Sequence, residues 1–311
     1  MYSTLNNDQT KQAIDCEHVF IALQQTELAS REYASGMHWK KIANREYLYR
    51  TRDGRGNAKC IGLRTPETEH IFDAFHHRKN ELSERMAQLR SRMDLMLRLN
   101  KALRLGSVPN EVANLCIHLD KAQLLGKGLT IIGTNAMYVY EAMAGVRWTG
   151  DITATTDLDL LWHPEKRLSL IAREEVSIHG LIGILKKADK TFEIVKKTPY
   201  RAVSANGYMV DLIKQVPKPP WRKEKDQFLP GNQDMQAVEI DHLHRLLDAP
   251  QVTQPVFAMD GRIFNMVAPE PRAFAIYKDW LSKEPSRNPS KKRRDQAQAE
   301  AVRQLIKEHL P

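Results

Sequence analysis

The segment TTDLDLLW, residues 155–162, places two aspartates in an otherwise apolar run. Its residues alternate as they do in a β-strand, where successive side chains point to opposite faces of the sheet. Asp157 and Asp159 then share one face, with Cα atoms about 6.5–7 Å apart, while Leu158 and Leu160 share the other. Two carboxylates this close repel each other unless a cation neutralises them. The segment therefore predicts a strand whose polar face binds a divalent cation.

A short apolar run, GLTIIG, ends at Gly133 and leads through Thr134 into a helical pattern that stops at Gly145. A strand that turns directly into a helix presents free backbone N–H groups, which suit a phosphate. Gly133 allows close approach of the backbone, and the Thr134 hydroxyl adds a donor. Phosphate binding beside metal-binding carboxylates predicts a site for a nucleoside triphosphate (NTP) with magnesium.

A third carboxylate stands in GYMVDLIK, residues 207–214. If Val210 and Leu212 face a core, Asp211 faces the opposite side of its strand. The Asn206–Gly207 pair predicts a hairpin that leads into this strand. In one sheet with the first two aspartates, Asp211 would complete a three-carboxylate site, and one carboxylate of the three could take a proton from an attacking hydroxyl.

The order of these residues resembles the polymerase-β-like nucleotidyltransferase superfamily. Its pattern is a Gly-Ser or similar pair, two acidic residues in one strand and a third in a later strand. Gly133 and Thr134 match the first element, Asp157 and Asp159 the second, and Asp211 the third. The region also looks like uncharacterised bacterial nucleotidyltransferase-like proteins with a GT…TxDLDLL core.

The resemblance implies a two-metal enzyme that moves a nucleoside monophosphate from an NTP to an acceptor hydroxyl, with Mg²⁺ or Mn²⁺ as cofactor. The three aspartates would be its catalytic and metal-binding residues, and the Gly-Thr pair would bind the nucleotide.

The C-terminal region adds cations. PRAFAIYKDWLS, residues 271–282, predicts a helix in which Lys278 is similar in placement to the triphosphate-binding lysine of toxin-type nucleotidyltransferases. The alternative is a lysine that extends to solvent from the helix edge. Residues 283–294 predict a basic loop before a helix from about Asp295. Its last four residues would bind phosphates or acceptor RNA, or would only be solvated: Lys291, Lys292, Arg293 and Arg294.

The charge balance favours a polyanionic partner. The chain contains 47 Lys and Arg against 38 Asp and Glu, a net charge of +9. RNA is the preferred acceptor, and tRNA the preferred class by analogy with toxin-type relatives. A protein acceptor and an antitoxin-like partner remain alternatives.

The patterning predicts an α+β protein with a mixed-sheet nucleotidyltransferase core. Residues 1–105 form a helical N-terminal module with one β-hairpin, which turns at Asp53–Gly54. Residues 106–270 form the core, and residues 271–311 form a helical segment packed on it. Three cysteines suggest reduced thiols, and neither a signal peptide nor a spanning apolar run is present. We therefore expect a cytoplasmic protein without a membrane partner.

Two other functions fit part of the pattern. A catalytically inactive nucleotidyltransferase-fold protein would bind nucleic acid or regulate a partner, but its expected sign, loss of a carboxylate, is missing. A glycosyltransferase also uses an Asp-x-Asp motif to bind a metal and a nucleotide diphosphate. That reaction requires neither the Gly-Thr turn nor Asp211.

Overall fold

The computed structural model describes residues 2–51, 57–149, 151–166, 174–219, 221, 226, 227, 229 and 234–310. The described residues form an α+β fold, as the patterning predicts. They divide into two compact units, Lys11–Leu99 and a larger one made of Met1–Thr10 with Asn100–Pro311. None of the helices described is long and apolar enough to cross a membrane.

The chain begins with β1 (Tyr2–Thr4) and α1 (Asn7–Arg31). A three-stranded antiparallel sheet follows in the smaller unit, with β2 (Met37–Ile42), β3 (Arg45–Thr51) and β4 (Ala58–Leu63). Helix α2 (Pro66–Ala102) comes next. The predicted hairpin is β3–β4, and its predicted turn at Asp53–Gly54 lies outside the described residues. The prediction missed β2, because two adjacent lysines in MHWKKI obscure the strand alternation.

The larger unit contains the elements of the predicted core and the C-terminal helices. They are α3 (Asn110–Lys121), β5 (Leu129–Ile132), α4 (Met137–Ala144), β6 (Val146–Trp148), β7 (Asp157–Trp162), α5 (Glu174–Ala188), β8 (Glu193–Ile194), β9 (Arg201–Val203), β10 (Met209–Gln215), β11 (Val238–Ile240), α6 (His244–Leu247), β12 (Gln251–Phe257), β13 (Ile263–Pro269), α7 (Pro271–Lys283) and α8 (Pro289–His309). Strand β1 pairs with β6, so the first residues of the chain join this unit.

The central sheet has the order β5-β7-β10-β9-β8, and β11 pairs with the end of β10. Strands β7 and β10 are parallel, while β5 and β9 run antiparallel to their neighbours. The hairpin predicted at Asn206–Gly207 is β9–β10, and β12–β13 is a second antiparallel pair. The sheet is therefore mixed, as expected.

The two faces of the central sheet differ in chemistry. Leu158, Leu160 and Leu212 are fully buried in the main core on one face. On the other face, Leu161 and Tyr277 belong to a smaller apolar cluster that joins the sheet to α6 and α7. This cluster occupies only one end of the second face, and the aspartates lie at the other end.

Helix α8 begins earlier than the sequence predicts. The expected basic loop reached residue 294, but the helix starts at Pro289, with Asn288 as its N-cap. The Asn288 carboxamide accepts a hydrogen bond of 2.9 Å from the Ser290 N–H. A capping residue followed by proline at the first helical position is a strong helix start, and the density of lysine and arginine obscured it.

Candidate active site

The parallel pairing of β7 and β10 places the three aspartates on one face of the sheet. Asp211 stands opposite Asp159 in the register, and Asp157 stands opposite Met209. Neighbouring strands lie about 4.8 Å apart, so the carboxylates of Asp159 and Asp211 are adjacent. The structure thus brings the two predicted strand motifs together.

Gly133 lies directly against Asp159. Strand β5 ends at Ile132, and a short 3-10 turn from Gly133 to Ala136 leads into α4. Gly133 has a φ of +67°, and a Cβ at this position would be 2.2 Å from Asp159 Oδ2. Only glycine satisfies both conditions, because an L-residue disfavours this φ and any side chain would overlap the carboxylate.

Two hydrogen bonds hold the start of β7. The Asn135 side-chain amide donates to the Asp157 carbonyl oxygen at 2.7 Å, which ties the 3-10 turn to this strand. The Thr155 hydroxyl donates to Asp157 Oδ1. These contacts orient the first carboxylate relative to the Gly-Thr turn.

The carboxyl of Asp159 has a pKa well above its ordinary value. Burial raises its pKa to about 7, and the negative charges of Asp157 and Asp211 act in the same direction. Lys278 and Lys291 act in the opposite direction without offsetting the rise. Because burial is the main cause of this rise, a cation bound at the site would favour the ionised form of Asp159.

Asp211 is held by Arg201. The guanidinium donates two hydrogen bonds, from Nε to Oδ1 at 2.7 Å and from Nη2 to Oδ2 at 2.6 Å. This bidentate pair occupies both oxygens of a buried carboxylate, and it raises the pKa of Arg201.

Lys278 is buried and does not extend to solvent. Its Nζ donates to Asp295 Oδ1 at 2.7 Å, and Arg287 Nε donates to Asp295 Oδ2 at 2.9 Å. Burial lowers the pKa of Lys278, while the Asp295 carboxylate opposes this change. One carboxylate thus connects α7, α8 and the segment between them.

Helix α8 directs only part of the predicted basic cluster toward the aspartates. Lys291 and Arg294 line the cavity at the site, whereas Lys292 and Arg293 do not. Arg294 Nη2 and Gln298 Nε2 each donate to Thr134 Oγ1 at 3.2 Å. The Thr134 hydroxyl is therefore anchored by α8.

Two neighbouring cavities meet at Asp157. The first, of about 350 Å³, contains Gly133, Thr134, the three aspartates and Lys278 in its wall. The second, of about 1140 Å³, is lined by Lys101, Arg104 and Arg147 among others. Asp157, Arg201, Lys291 and Arg294 belong to both walls. The larger cavity thus opens onto the aspartate site.

Comparison with known proteins agrees with this geometry. The sequence model of a nucleotidyltransferase family matches residues 110–311, which include the three aspartates, the Gly133–Thr134 turn and the cationic residues of the smaller cavity. The chain belongs to this nucleotidyltransferase family. No match was found among curated proteins or among solved structures.

The donors of this nucleotidyltransferase fit a divalent cation at Asp157 and Asp159. Neither carboxylate forms an ion pair within the described residues, and the pKa of Asp159 is raised by burial and further by the charges of Asp157 and Asp211. Asp211 fits a cation only after Arg201 leaves it. Accordingly, the described part of the chain contains no group of three acidic, histidine or cysteine side chains whose geometry is already suited to hold a metal ion.

Sequence reasoning missed three residues of the nucleotidyltransferase site. Arg201 pairs with Asp211 across the β9–β10 hairpin, and this register could have been read from the Asn206–Gly207 turn. Gln298 follows Lys291 and Arg294 at helical spacing, which the predicted loop concealed. No local sequence pattern identifies Arg287 as a site residue, because only the tertiary fold brings it to Asp295.

Proposed function

We propose that this nucleotidyltransferase transfers a nucleoside monophosphate from an NTP to an acceptor hydroxyl and releases pyrophosphate, as polymerase-β-like enzymes do. The observation that carries the proposal is the parallel register of β7 and β10, which sets three carboxylates beside the Gly133–Thr134 turn. Metal-binding acids next to a phosphate-binding turn are the requirements of phosphoryl transfer.

In this proposal, the nucleotide occupies the smaller cavity in one orientation. Its triphosphate lies between the Gly133–Thr134 turn and the cationic side chains of Lys278 and Lys291. Its base lies at the apolar end of the cavity, against Leu243 and Tyr277. Positive groups near the phosphates and apolar groups near the base favour this direction over the reverse.

The three aspartates have separate tasks in this proposal. Asp157 and Asp159 hold Mg²⁺ or Mn²⁺, which when bound neutralises phosphate charge. Asp211, once released by Arg201, accepts the proton of the acceptor hydroxyl. The freed Arg201 guanidinium can then neutralise phosphate oxygens.

The acceptor enters through the larger cavity. Its wall carries Lys101, Arg104 and Arg147, and these cations suit an acceptor that contains phosphates. RNA is therefore the preferred acceptor, with tRNA as the first class to test. A protein hydroxyl is the alternative acceptor. An antitoxin-like protein is an alternative binding partner of the enzyme.

One observation favours a second candidate function. In the Arg201–Asp211 pair, the guanidinium occupies both oxygens of the third carboxylate. A catalytically inactive scaffold that only binds nucleic acid or a protein would have such a blocked carboxylate. This candidate predicts NTP binding without transfer. It also predicts no difference between Arg201→Ala and the wild-type protein in any transfer assay.

The test combines calorimetry with transfer of label. Asp157→Asn with Asp159→Asn should abolish magnesium-dependent NTP binding, and label from each α-³²P-NTP should pass to RNA only with the wild-type protein. Asp73→Asn with Asp94→Asn is the control, because it removes the same charge from exposed positions of α2. Unchanged NTP affinity in the double variant would refute the site. Label on protein alone would move the acceptor to a protein hydroxyl.

A further inference from the structure

The three-stranded sheet of the smaller unit has one apolar face and one accessible face. Met37 and Leu48 are buried with Phe75 of α2. Because side chains alternate along each strand, His38, Lys40, Tyr47 and Tyr49 occupy the opposite face. His38 and Lys40 are exposed, and the two tyrosines are half-buried.

Two rings and an ammonium group lie close together on this accessible face. Tyr49 stands opposite His38 in the β2–β3 register, and Tyr47 stands opposite Lys40. The His38 and Tyr49 rings are stacked side by side, with centroids 6.2 Å apart and planes 20° from parallel. The Lys40 ammonium lies 5.7 Å from the centre of the Tyr49 ring. Two aromatic side chains and a cation thus form one surface.

The same sheet is strongly basic. Residues 37–51 and 57–64 contain a single acidic residue, Glu46, and it is paired with Arg64. Six basic residues stand in these ranges: Lys40, Lys41, Arg45, Arg50, Lys59 and Arg64. By the strand register, Lys40 and Arg45 lie on the accessible face, whereas Arg50 and Lys59 lie on the face of Met37. A polyanion is the partner that the charge of the accessible face favours.

We propose that the accessible face of β2–β4 binds single-stranded RNA, with bases stacked on Tyr47, Tyr49 and His38 and phosphates near Lys40. Bases stack on aromatic side chains only where they are unpaired, so a duplex cannot use this surface. The face also carries exposed Ile42 and Leu63, but its two neighbouring rings with the Lys40 ammonium beside them match an unpaired base and its phosphate better than a protein surface.

RNA is preferred to DNA because the tyrosine hydroxyls and the His38 ring nitrogens can hydrogen-bond a 2′-hydroxyl. This inference goes beyond the proposed nucleotidyl transfer and does not depend on it. The accessible face of β2–β4 lies within residues 11–99, outside residues 110–311, which the family model matches.

The first experiment measures fluorescence anisotropy of a labelled ten-nucleotide RNA on the full chain. Tyr47→Ala and Tyr49→Ala should each weaken binding roughly 5- to 100-fold, the range expected for loss of one stacked base. Tyr49→Phe keeps the ring and loses only the hydroxyl, so it should bind RNA much more tightly than Tyr49→Ala does. The same sequence as duplex RNA or as single-stranded DNA should bind more weakly than the single-stranded RNA.

A second experiment uses Cys60, which stands opposite Tyr49 in the β3–β4 register. Cys60 is exposed, while Cys16 and Cys116 are buried, so alkylation under native conditions reports on this face. Single-stranded RNA should slow the alkylation of Cys60 in the wild-type protein. This readout does not require the Tyr→Ala variants to be stable.

Three results would overturn the assignment. They are equal RNA affinity of the Ala variants and the wild-type protein, an affinity of Tyr49→Phe as low as that of Tyr49→Ala, and no protection of Cys60 by RNA. Equal binding of DNA would overturn the choice of RNA. An inactive NTP site would leave all these measurements unaffected, so failure of the proposed function is distinguishable.

Discussion

At the residue scale, Asp159 is stabilised in its protonated form. Its pKa is raised from 3.8 to about 7 in the folded chain, so between these pH values the folded state holds a proton that the unfolded state has released. The contribution of this group to stability therefore falls as the pH rises through about 7. We expect Asp159→Asn, in metal-free buffer at pH 8, to raise the Tm by about 2–4 °C, the effect of ~1 kcal/mol.

The same comparison near pH 4 should show a much smaller difference, because the carboxyl is then protonated in the folded state and about 40% protonated in the unfolded state. Adding Mg²⁺ at pH 8 should stabilise the wild-type protein and not the variant. Glu141 also has a pKa of about 7, but it titrates in both proteins and cancels in the difference. A Tm difference that is constant from pH 4 to pH 8 would contradict this explanation.

Alanine substitutions of Gly133 and Gly145 distinguish the effect of backbone strain from the effect of site geometry. Gly133→Ala would push a methyl group into Asp159 Oδ2, and we expect NTP affinity to fall about tenfold or more, which corresponds to ~1.4 kcal/mol. Gly145→Ala is the matched control. Gly145 has a similar φ of +61°, but open space surrounds its Cβ position. Calorimetry should therefore show destabilisation in both variants and loss of NTP binding only in the first.

At the element scale, the basic residues 291–294 lie on different faces of α8. Lys291→Gln with Arg294→Gln should weaken NTP binding about tenfold, because both side chains line the aspartate cavity. Lys292→Gln with Arg293→Gln removes the same charge from positions away from it and should change NTP affinity far less. Equal losses, measured by calorimetry at one salt concentration, would indicate a general charge effect.

The elements of the fold were largely predictable, because periodicity is local. The two-residue alternation of TTDLDLLW predicts β7, and Asn206–Gly207 predicts the β9–β10 hairpin. The start of α8 was predicted six residues late, since consecutive basic residues resemble a loop when the Asn288–Pro289 start signal is overlooked. Strand β2 was missed for a related reason, since its lysines interrupt the alternation.

At the scale of the whole molecule, the features that the sequence does not predict are contacts between distant segments. The spacing of Asp157 and Asp159 follows from one strand, but the Lys278–Asp295–Arg287 cluster depends on how two helices pack. The net charge of +9 indicates a polyanion without locating it. The fold places basic side chains in the wall of the large cavity of one unit, and it places Lys40 and Arg45 on the accessible sheet face of the other.

The bidentate Arg201–Asp211 pair has a kinetic consequence for the proposed reaction. Asp211 can accept the proton of the acceptor hydroxyl only after the guanidinium that holds both of its oxygens has left. Two charge-assisted hydrogen bonds must break first. The rate at which Asp211 becomes available as a base therefore has a ceiling, set by departure of the arginine and independent of how much NTP or metal is supplied.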